Sequence, residues 1–151
     1  MLATNLDIQL FTPEDEILCL ELFRSNVPLY FKTHEEPGLL EWLYMPGRAP
    51  YYVVSYQGKV VGCGGLYADE KEKCCGLAWG MIHQEEHKKG FGKAFSLFRL
   101  EQLTHLFPGY KQKLVTSHLT EGFYQKLGFQ TTSHKKDGIA PGLDECWMER
   151  N

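Results

Sequence analysis

The sequence predicts an α/β fold built on a mixed sheet, and three observations carry that prediction. Cys74–Ile82 is an almost uninterrupted run of apolar and small residues, as suits a strand covered on both faces. A polar turn with Gly90 and Gly92 follows, and from it Phe91, Ala94, Phe95 and Phe98 recur at helical spacing, with Leu97, Leu100, Leu103 and Leu106 widening the apolar face. Shorter strand-like runs bounded by turn signals lie on both sides of this strand, glycine turn and helix.

Composition sets the frame. A chain of 151 residues, 43% hydrophobic and 23% charged, makes one domain, 1–151, able to bury a core without disulfides or metals. A net charge of -3 argues against a general nucleic-acid surface and leaves room for a cationic acceptor. No run has the length of a membrane span, and the N-terminal stretch, with Asp7 inside its first strand pattern, lacks a signal-peptide layout, so the cytoplasm is the expected location. Cysteines at 19, 63, 74, 75 and 146 form no disulfide framework and suit a reducing compartment. Cys74 and Cys75 would point to opposite faces of a strand, with no second ligand pair near them, so no metal is expected.

In chain order, residues 6–11 alternate apolar and polar as a half-exposed strand does. Thr12-Pro13-Glu14-Asp15 starts a helix that runs to about Ser25, with Ile17, Leu18, Leu20, Leu22 and Phe23 as its buried face and Cys19 packed among them. Pro28, Pro37-Gly38 and Pro46-Gly47 divide residues 27–46 into two short helices, the second from about Gly38 to Tyr44. Tyr51–Tyr56 and Lys59–Tyr67 read as a hairpin turning at Gln57-Gly58, with Gly62, Gly64 and Gly65 marking a bulge or the close approach of another backbone. Asp69–Lys73 is a charged turn into the central strand, and Pro108-Gly109 stops the central helix. A strand at Lys113–Ser117 and a short helix at Thr120–Lys126, capped by Gly128, come next. Phe129–Ser133 and Cys146–Glu149 pair antiparallel, and residues 134–145 between them read as a long loop, a candidate lid.

The turn after the central strand is the candidate site. The first turn of a helix leaves backbone N–H groups unpartnered at the positive end of the dipole, and glycines at 90 and 92 let an anion approach them. Lys88, Lys89 and Lys93 add positive charge. A nucleoside triphosphate loop is excluded because Gly92-Lys93 is followed by Ala94, and a dinucleotide fingerprint because Phe95 stands where its third glycine belongs.

His87-Lys88-Lys89-Gly90-Phe91-Gly92 resembles the acetyl-coenzyme A signature of the Gcn5-related N-acetyltransferases (GNAT), Arg/Gln-x-x-Gly-x-Gly/Ala, with His in the first position. Thr116-Ser-His-Leu-Thr-Glu-Gly-Phe-Tyr124-Gln-Lys-Leu-Gly128-Phe129 resembles the family's second signature, Asn-x-x-Ala-x-x-x-Tyr-x-Lys-x-Gly-Phe, with Ser117 and Thr120 at the Asn and Ala positions. The resemblance covers nearly the whole chain. It implies the fold order strand, two helices, three strands, helix, strand, helix and two strands, and acetyl-CoA as co-substrate.

The resemblance also implies roles for individual residues. The amides of 88–94 would hold the pyrophosphate, and the main chain at Met81, Ile82 and His83 would pair with the pantetheine arm and supply an oxyanion contact, with Ser117 also on the cofactor side. Tyr124 stands at the family's general acid, against the plain alternative of a core tyrosine between Phe123 and Phe129. Gly76 and Ala78 occupy the positions where relatives place a basic or acidic group, which leaves His83 first, then His118, Glu121, or a water relay ending on Asp69 or Glu70, as base. Tyr30, Phe31, Trp42 and Tyr44 lie where the family binds its acceptor, or pack as core. The activity implied is acetyl transfer to the primary amine of a small molecule or peptide, with no nucleic acid, membrane or metal partner, and with homodimers known in the family. Two readings stand beside it: an acyl-CoA sensor without a base, and an interaction module that exposes the 30–44 aromatics.

Overall fold

The computed structural model describes residues 5–151; residues 1–4, the start of the stretch without a signal-peptide layout, lie outside the described residues. The elements are β1 (Leu6–Leu10), α1 (Glu16–Ser25), α2 (Glu36–Leu43), β2 (Tyr51–Tyr56), β3 (Lys59–Asp69), β4 (Cys74–Ile82), α3 (Phe91–Leu106), β5 (Lys111–Ser117), α4 (Glu121–Lys126), β6 (Gln130–Ala140) and β7 (Leu143–Arg150). The sequence predicts this order, and the structure adds 3-10 turns at Pro13–Asp15, Thr33–Glu35 and Gln84–Glu86. The seven strands form a sheet in the order β1-β2-β3-β4-β5-β7-β6. Its β4–β5 pair is parallel while β1–β2, β2–β3, β5–β7 and β6–β7 are antiparallel, so the sheet is mixed as expected. Two compact units are distinguishable, one running to Tyr67 and resuming over Leu77–Glu101, the other comprising Ala68–Gly76 and Gln102–Asn151.

In the first unit, the Asp15 carboxylate accepts the Thr12 N–H at 2.9 Å, which starts the turn that leads into α1. Cys19, Leu22 and Phe23 of α1 join Leu39, Leu43, Tyr51, Val53, Cys63 and Met81 in one buried cluster. Two members of the predicted α1 face fall outside it: Ile17 is 70% exposed and Leu18 is exposed as well. A helix this short buries one stripe, and Cys19, Leu22 and Phe23 at spacings of three and four fill it. The two short helices expected over 27–46 become turns at 27–31 followed by α2, which starts at Glu36 because Pro37 fits the first turn of a helix. Arg24 clamps the start of α2 to α1 through two hydrogen bonds of 2.8 Å to Glu36.

The predicted β2–β3 hairpin forms, with φ of 50° at Gln57 and 81° at Gly58, the paired left-handed residues of a tight two-residue turn. The glycines of β3 mark close approach. A Cβ on Gly64 would lie 2.9 Å from both the Arg99 guanidinium and the Gly80 Cα, and Gly80 faces the same guanidinium. Arg99, buried on α3, reaches over the Phe95 ring at 4.7 Å and donates to the Gly65 carbonyl at 3.2 Å. Within β4, Trp79 takes a φ of 48°, which breaks the regular pleat, and its carbonyl accepts the Tyr51 hydroxyl at 2.8 Å. Burial pushes the Tyr51 phenol well above its ordinary range, so it remains a donor to that carbonyl. On α3, Phe91, Phe95, Leu100 and Leu103 are buried as predicted, whereas Leu97, on the far side of the helix from that stripe, and Leu106, its last residue, are exposed.

In the second unit, β4 pairs with β5 at Cys74↔Lys111 and Cys75↔Gln112. Both cysteines are buried and free, which fits a strand covered on both faces, and burial raises the Cys75 thiol to about 11. β5 pairs with β7 from Gln112↔Arg150 to Ser117↔Glu145. The expected loop at residues 134–145 is a correction: β6 and β7 continue through it as one hairpin that turns at Pro141-Gly142. Asp137, with φ of 57°, takes up a register irregularity; its N–H donates to Asp144 at 2.9 Å and its carboxylate accepts the Gly142 N–H at 2.7 Å. A paired hairpin with these ties is not a free lid.

Candidate active site

The turn between β4 and α3 is shaped by its own side chains. His83 Nδ1 accepts the Glu85 N–H at 3.1 Å and the His83 carbonyl accepts the Glu86 N–H at 2.8 Å, closing the 3-10 turn. Lys88 and Gly90 then adopt φ of 67° and 86°, which turns the chain sharply into α3. The helix's first backbone bond runs from the Ala94 N–H to the Gly90 carbonyl at 3.1 Å, so the N–H groups of Phe91, Gly92 and Lys93 precede any intrahelical acceptor. Phe91 anchors this end, buried with its ring 5.0 Å from that of Tyr56. Donors without intrahelical acceptors, a positive dipole end and exposed Lys88 and Lys93 fit a diphosphate.

Lys89 behaves differently from its neighbours. Its ammonium bonds the Glu86 carboxylate at 2.9 Å, and Lys59 of β3 bonds the same carboxylate at 2.9 Å. Hydrogen bonds from Lys59 and then Lys89 hold the mostly buried Glu86 carboxyl below its ordinary range. Sequence reading missed Glu86; in the string Gln84-Glu85-Glu86 nothing distinguishes the buried acid from the exposed one.

The end of β4 carries a second arrangement. The His83 N–H donates to Val61 of β3 at 2.8 Å, and strand alternation turns the N–H and C=O of Ile82 to the opposite edge. The Ile82 carbonyl accepts both Asn26 Nδ2 and His87 Nε2 at 2.9 Å, which fills its two lone pairs. Of the expected main-chain contacts at Ile82, the N–H is the group left for a ligand. Met81 is buried in the core cluster. His87, in the first position of the motif, thus spends its Nε2–H on the end of β4, with the Tyr30 ring edge-on at 5.3 Å. Phe31 stacks on Trp79 at 6.0 Å and lies 5.1 Å from Phe23, and Trp42 packs on the same cluster with its indole N–H buried and, among the described residues, without a hydrogen-bond partner. Tyr44, by contrast, is exposed and donates its hydroxyl to Glu16.

In the second unit, Tyr124 is half-buried on α4, its ring edge-on to Phe123 at 5.1 Å and to Phe129 at 6.1 Å. Among the described residues its hydroxyl has no hydrogen-bond partner, so the phenol is held by its ring alone and its proton is uncommitted. The Ser117 hydroxyl accepts the Leu119 N–H at 3.3 Å and its carbonyl the Thr120 N–H at 3.1 Å, which makes the turn that starts α4. Gly128, with φ of 102°, closes that helix as predicted.

The base candidates are largely engaged. His83 uses Nδ1 as acceptor, which in the neutral ring leaves the proton on Nε2 and no free lone pair. His118 Nδ1 accepts the Asp144 N–H at 3.0 Å, Glu121 accepts the Thr131 hydroxyl, and Asp69 accepts the N–H groups of Lys71 at 3.0 Å and Glu72 at 3.1 Å. Glu70 is exposed. Among the described residues no group of three His, Cys, Asp or Glu side chains is placed to hold a metal, and no helix is long and apolar enough to cross a membrane.

A family model described as an acetyltransferase (GNAT) domain matches residues 47–131. The fold is similar to that of a GNAT family acetyltransferase from Elizabethkingia anophelis with acetyl-CoA bound, at 17% identity and a TM-score of 0.74, covering 98% of this chain and 99% of that one. It is similar to a Bacillus subtilis acetyltransferase in complex with CoA, at 19% identity and a TM-score of 0.75, covering 97% and 99%. It is also similar to a ribosomal-protein-alanine N-acetyltransferase from Brucella melitensis, at 15% identity and a TM-score of 0.73, covering 95% and 98%. No curated protein sequence matches the chain.

Proposed function

Because the chain belongs to the acetyltransferase (GNAT) family, we propose that it is an acetyl-CoA-dependent N-acetyltransferase that acts on a primary amine of a small molecule or a peptide. The observation that carries this reading is the turn in which left-handed Lys88 and Gly90 deliver the N–H groups of Phe91, Gly92 and Lys93 to the start of α3 without intrahelical acceptors. Those amides hold the diphosphate, helped by the charges of Lys88 and Lys93. The Ile82 N–H, on the edge of β4 turned away from β3, takes the carbonyl side of the pantetheine arm. The co-substrate supplies a thioester whose sulfur leaves as a thiolate and needs a proton.

Tyr124 gives that proton. Its uncommitted hydroxyl and its place in the second signature support the role. His83 can accept the amine's proton only by releasing the Glu85 N–H, so deprotonation runs through water unless that turn opens. Phe31 and Trp42, with Tyr30 beside His87, form the acceptor side. One of the similar structures acts on ribosomal-protein alanine, which makes protein N-termini one acceptor class to include.

A second reading, a sensor that binds acyl-CoA without turnover, draws on Gly76, Ala78 and the engaged state of His83, His118 and Glu121. A thermal shift series with acetyl-CoA, followed by a thiol-release assay over polyamines, amino acids, aminoglycosides and peptide N-termini, separates the two. Saturating ligand at a hundred times its Kd stabilises by about 2.7 kcal/mol. Stabilisation together with amine-dependent thiol release supports the enzyme. Stabilisation without release from any amine supports the sensor, and no stabilisation contradicts both.

A further inference from the structure

Asn26, only 3% exposed where α1 ends, ties together three segments of the first unit. Its Nδ2 donates to the Leu22 carbonyl at 2.9 Å, inside α1, and to the Ile82 carbonyl at 2.9 Å, 56 positions later at the end of β4. Its main-chain carbonyl accepts the N–H groups of Tyr30 at 2.9 Å and Phe31 at 3.1 Å. Ser25, the preceding residue, donates its hydroxyl to Leu22 and accepts the Gln84 N–H at 3.0 Å, so the same helix end also grips the turn after β4. The peptide between Ile82 and His83 is therefore fixed on every side: its carbonyl by Asn26 and His87, its N–H by Val61. A helix cap needs only the Leu22 bond. The bond to Ile82 and the turn that presents Tyr30 and Phe31 serve something else.

Resting on the acetyl-transfer reading, we infer that Asn26 is a positioning residue: through Ile82 it orients the end of β4, and through its own carbonyl it sets the Tyr30–Phe31 turn, so that thioester and acceptor meet in one fixed register. It touches neither ligand. Loss of the buried side-chain donor leaves the main-chain bonds to Tyr30 and Phe31 in place but frees the Ile82 carbonyl to shift against that turn, and misplacement of reacting groups lowers the rate more than it lowers affinity.

The test is Asn26→Asp in the full-length protein. At neutral pH it sets a carboxylate against the carbonyls of Leu22 and Ile82, and only the protonated carboxyl can restore one bond. Steady-state kinetics are measured from about pH 6 to pH 9 with acetyl-CoA and the amine that the wild type uses best, with acetyl-CoA affinity read separately by thermal shift. We expect kcat/KM to fall about tenfold at the alkaline end, acetyl-CoA affinity to change less than about threefold, and the variant-to-wild-type ratio to climb as pH falls. His87, whose Nε2 meets the same Ile82 carbonyl, and Tyr30 beside it are the titratable side chains next to this site, and Asn26→Ala, which brings no carboxylate to them, is the reference for the pH dependence. Asn26→Ala gives a second variant in case the first does not fold; its expected loss in kcat/KM is the same and independent of pH. A lowered melting temperature with kcat/KM unchanged in either folded variant would make Asn26 a helix cap and overturn the inference. A wild type that neither binds acetyl-CoA nor releases thiol would instead overturn the acetyl-transfer reading, and this inference with it.

Discussion

The two signature segments put their chemistry in different parts of the chain. Between His83 and Lys93 the functional groups are main-chain N–H donors, and most side chains there serve the turn itself: His83 caps it, Glu86 binds Lys89 and Lys59, and His87 holds Ile82. Between Thr116 and Phe129 the reverse holds. The backbone is consumed by a short helix and its caps, and one side chain, Tyr124, is left with an uncommitted hydroxyl. A site built from amides tolerates side-chain exchange as long as the turn keeps its shape, whereas a site built on one hydroxyl tolerates none.

Substitution can break that contrast most sharply at Tyr124. Tyr124→Phe keeps the ring packing against Phe123 and Phe129 and removes the proton donor. Kcat should fall about 100-fold or more, with acetyl-CoA still raising the melting temperature as in the wild type. Unchanged turnover would remove the acid role. Next in size, Gly90→Val forces a branched side chain to a φ of 86° and displaces the amides that follow. KM for acetyl-CoA should rise about tenfold or more with a smaller change in kcat. Lys93→Ala, which alters a side chain and leaves the amides in place, should raise KM by no more than about threefold. Equal effects of the glycine and lysine variants would mean that charge, not backbone, dominates.

The smallest expected effect concerns Glu86. Its carboxyl is held low by Lys59 and Lys89, so the stability it contributes is complete above the ordinary carboxylate pKa and is lost as pH falls through its lowered value. Thermal melts of the wild type and Glu86→Gln should differ by about 2 °C at neutral pH and converge below the ordinary carboxylate range. A difference that persists in acid would place the effect in packing and not in charge.

These regions also show what a sequence makes legible. β4, the glycine turn and α3 are readable because each rests on a local pattern: an apolar run, two glycines, a helical repeat. The α4 segment is readable for the same reason, with Gly128 as its stop. The β6–β7 hairpin is not, since residues 134–139 are largely exposed and polar, so no alternation of buried and exposed side chains betrays the strand. What holds it are bonds of Asp137 and Asp144 that depend on the finished register. Asn26 and Glu86 are hidden for a related reason: their partners, Ile82 and Lys59, are distant in sequence, and an asparagine at a helix end or a glutamate in an acidic string looks like a cap or a surface charge. Ile17, Leu18 and Leu97 show the opposite error, because hydrophobicity alone does not say which side of a helix the core occupies.

The central claim, that the amides opening α3 hold the co-substrate's diphosphate, is tested most directly by following the backbone amide signals of the 15N-labelled protein during titration with acetyl-CoA. The largest shifts should fall on Phe91, Gly92 and Lys93, with Ile82 moving in the same saturable manner. Saturable binding that leaves those four amides unmoved would contradict it.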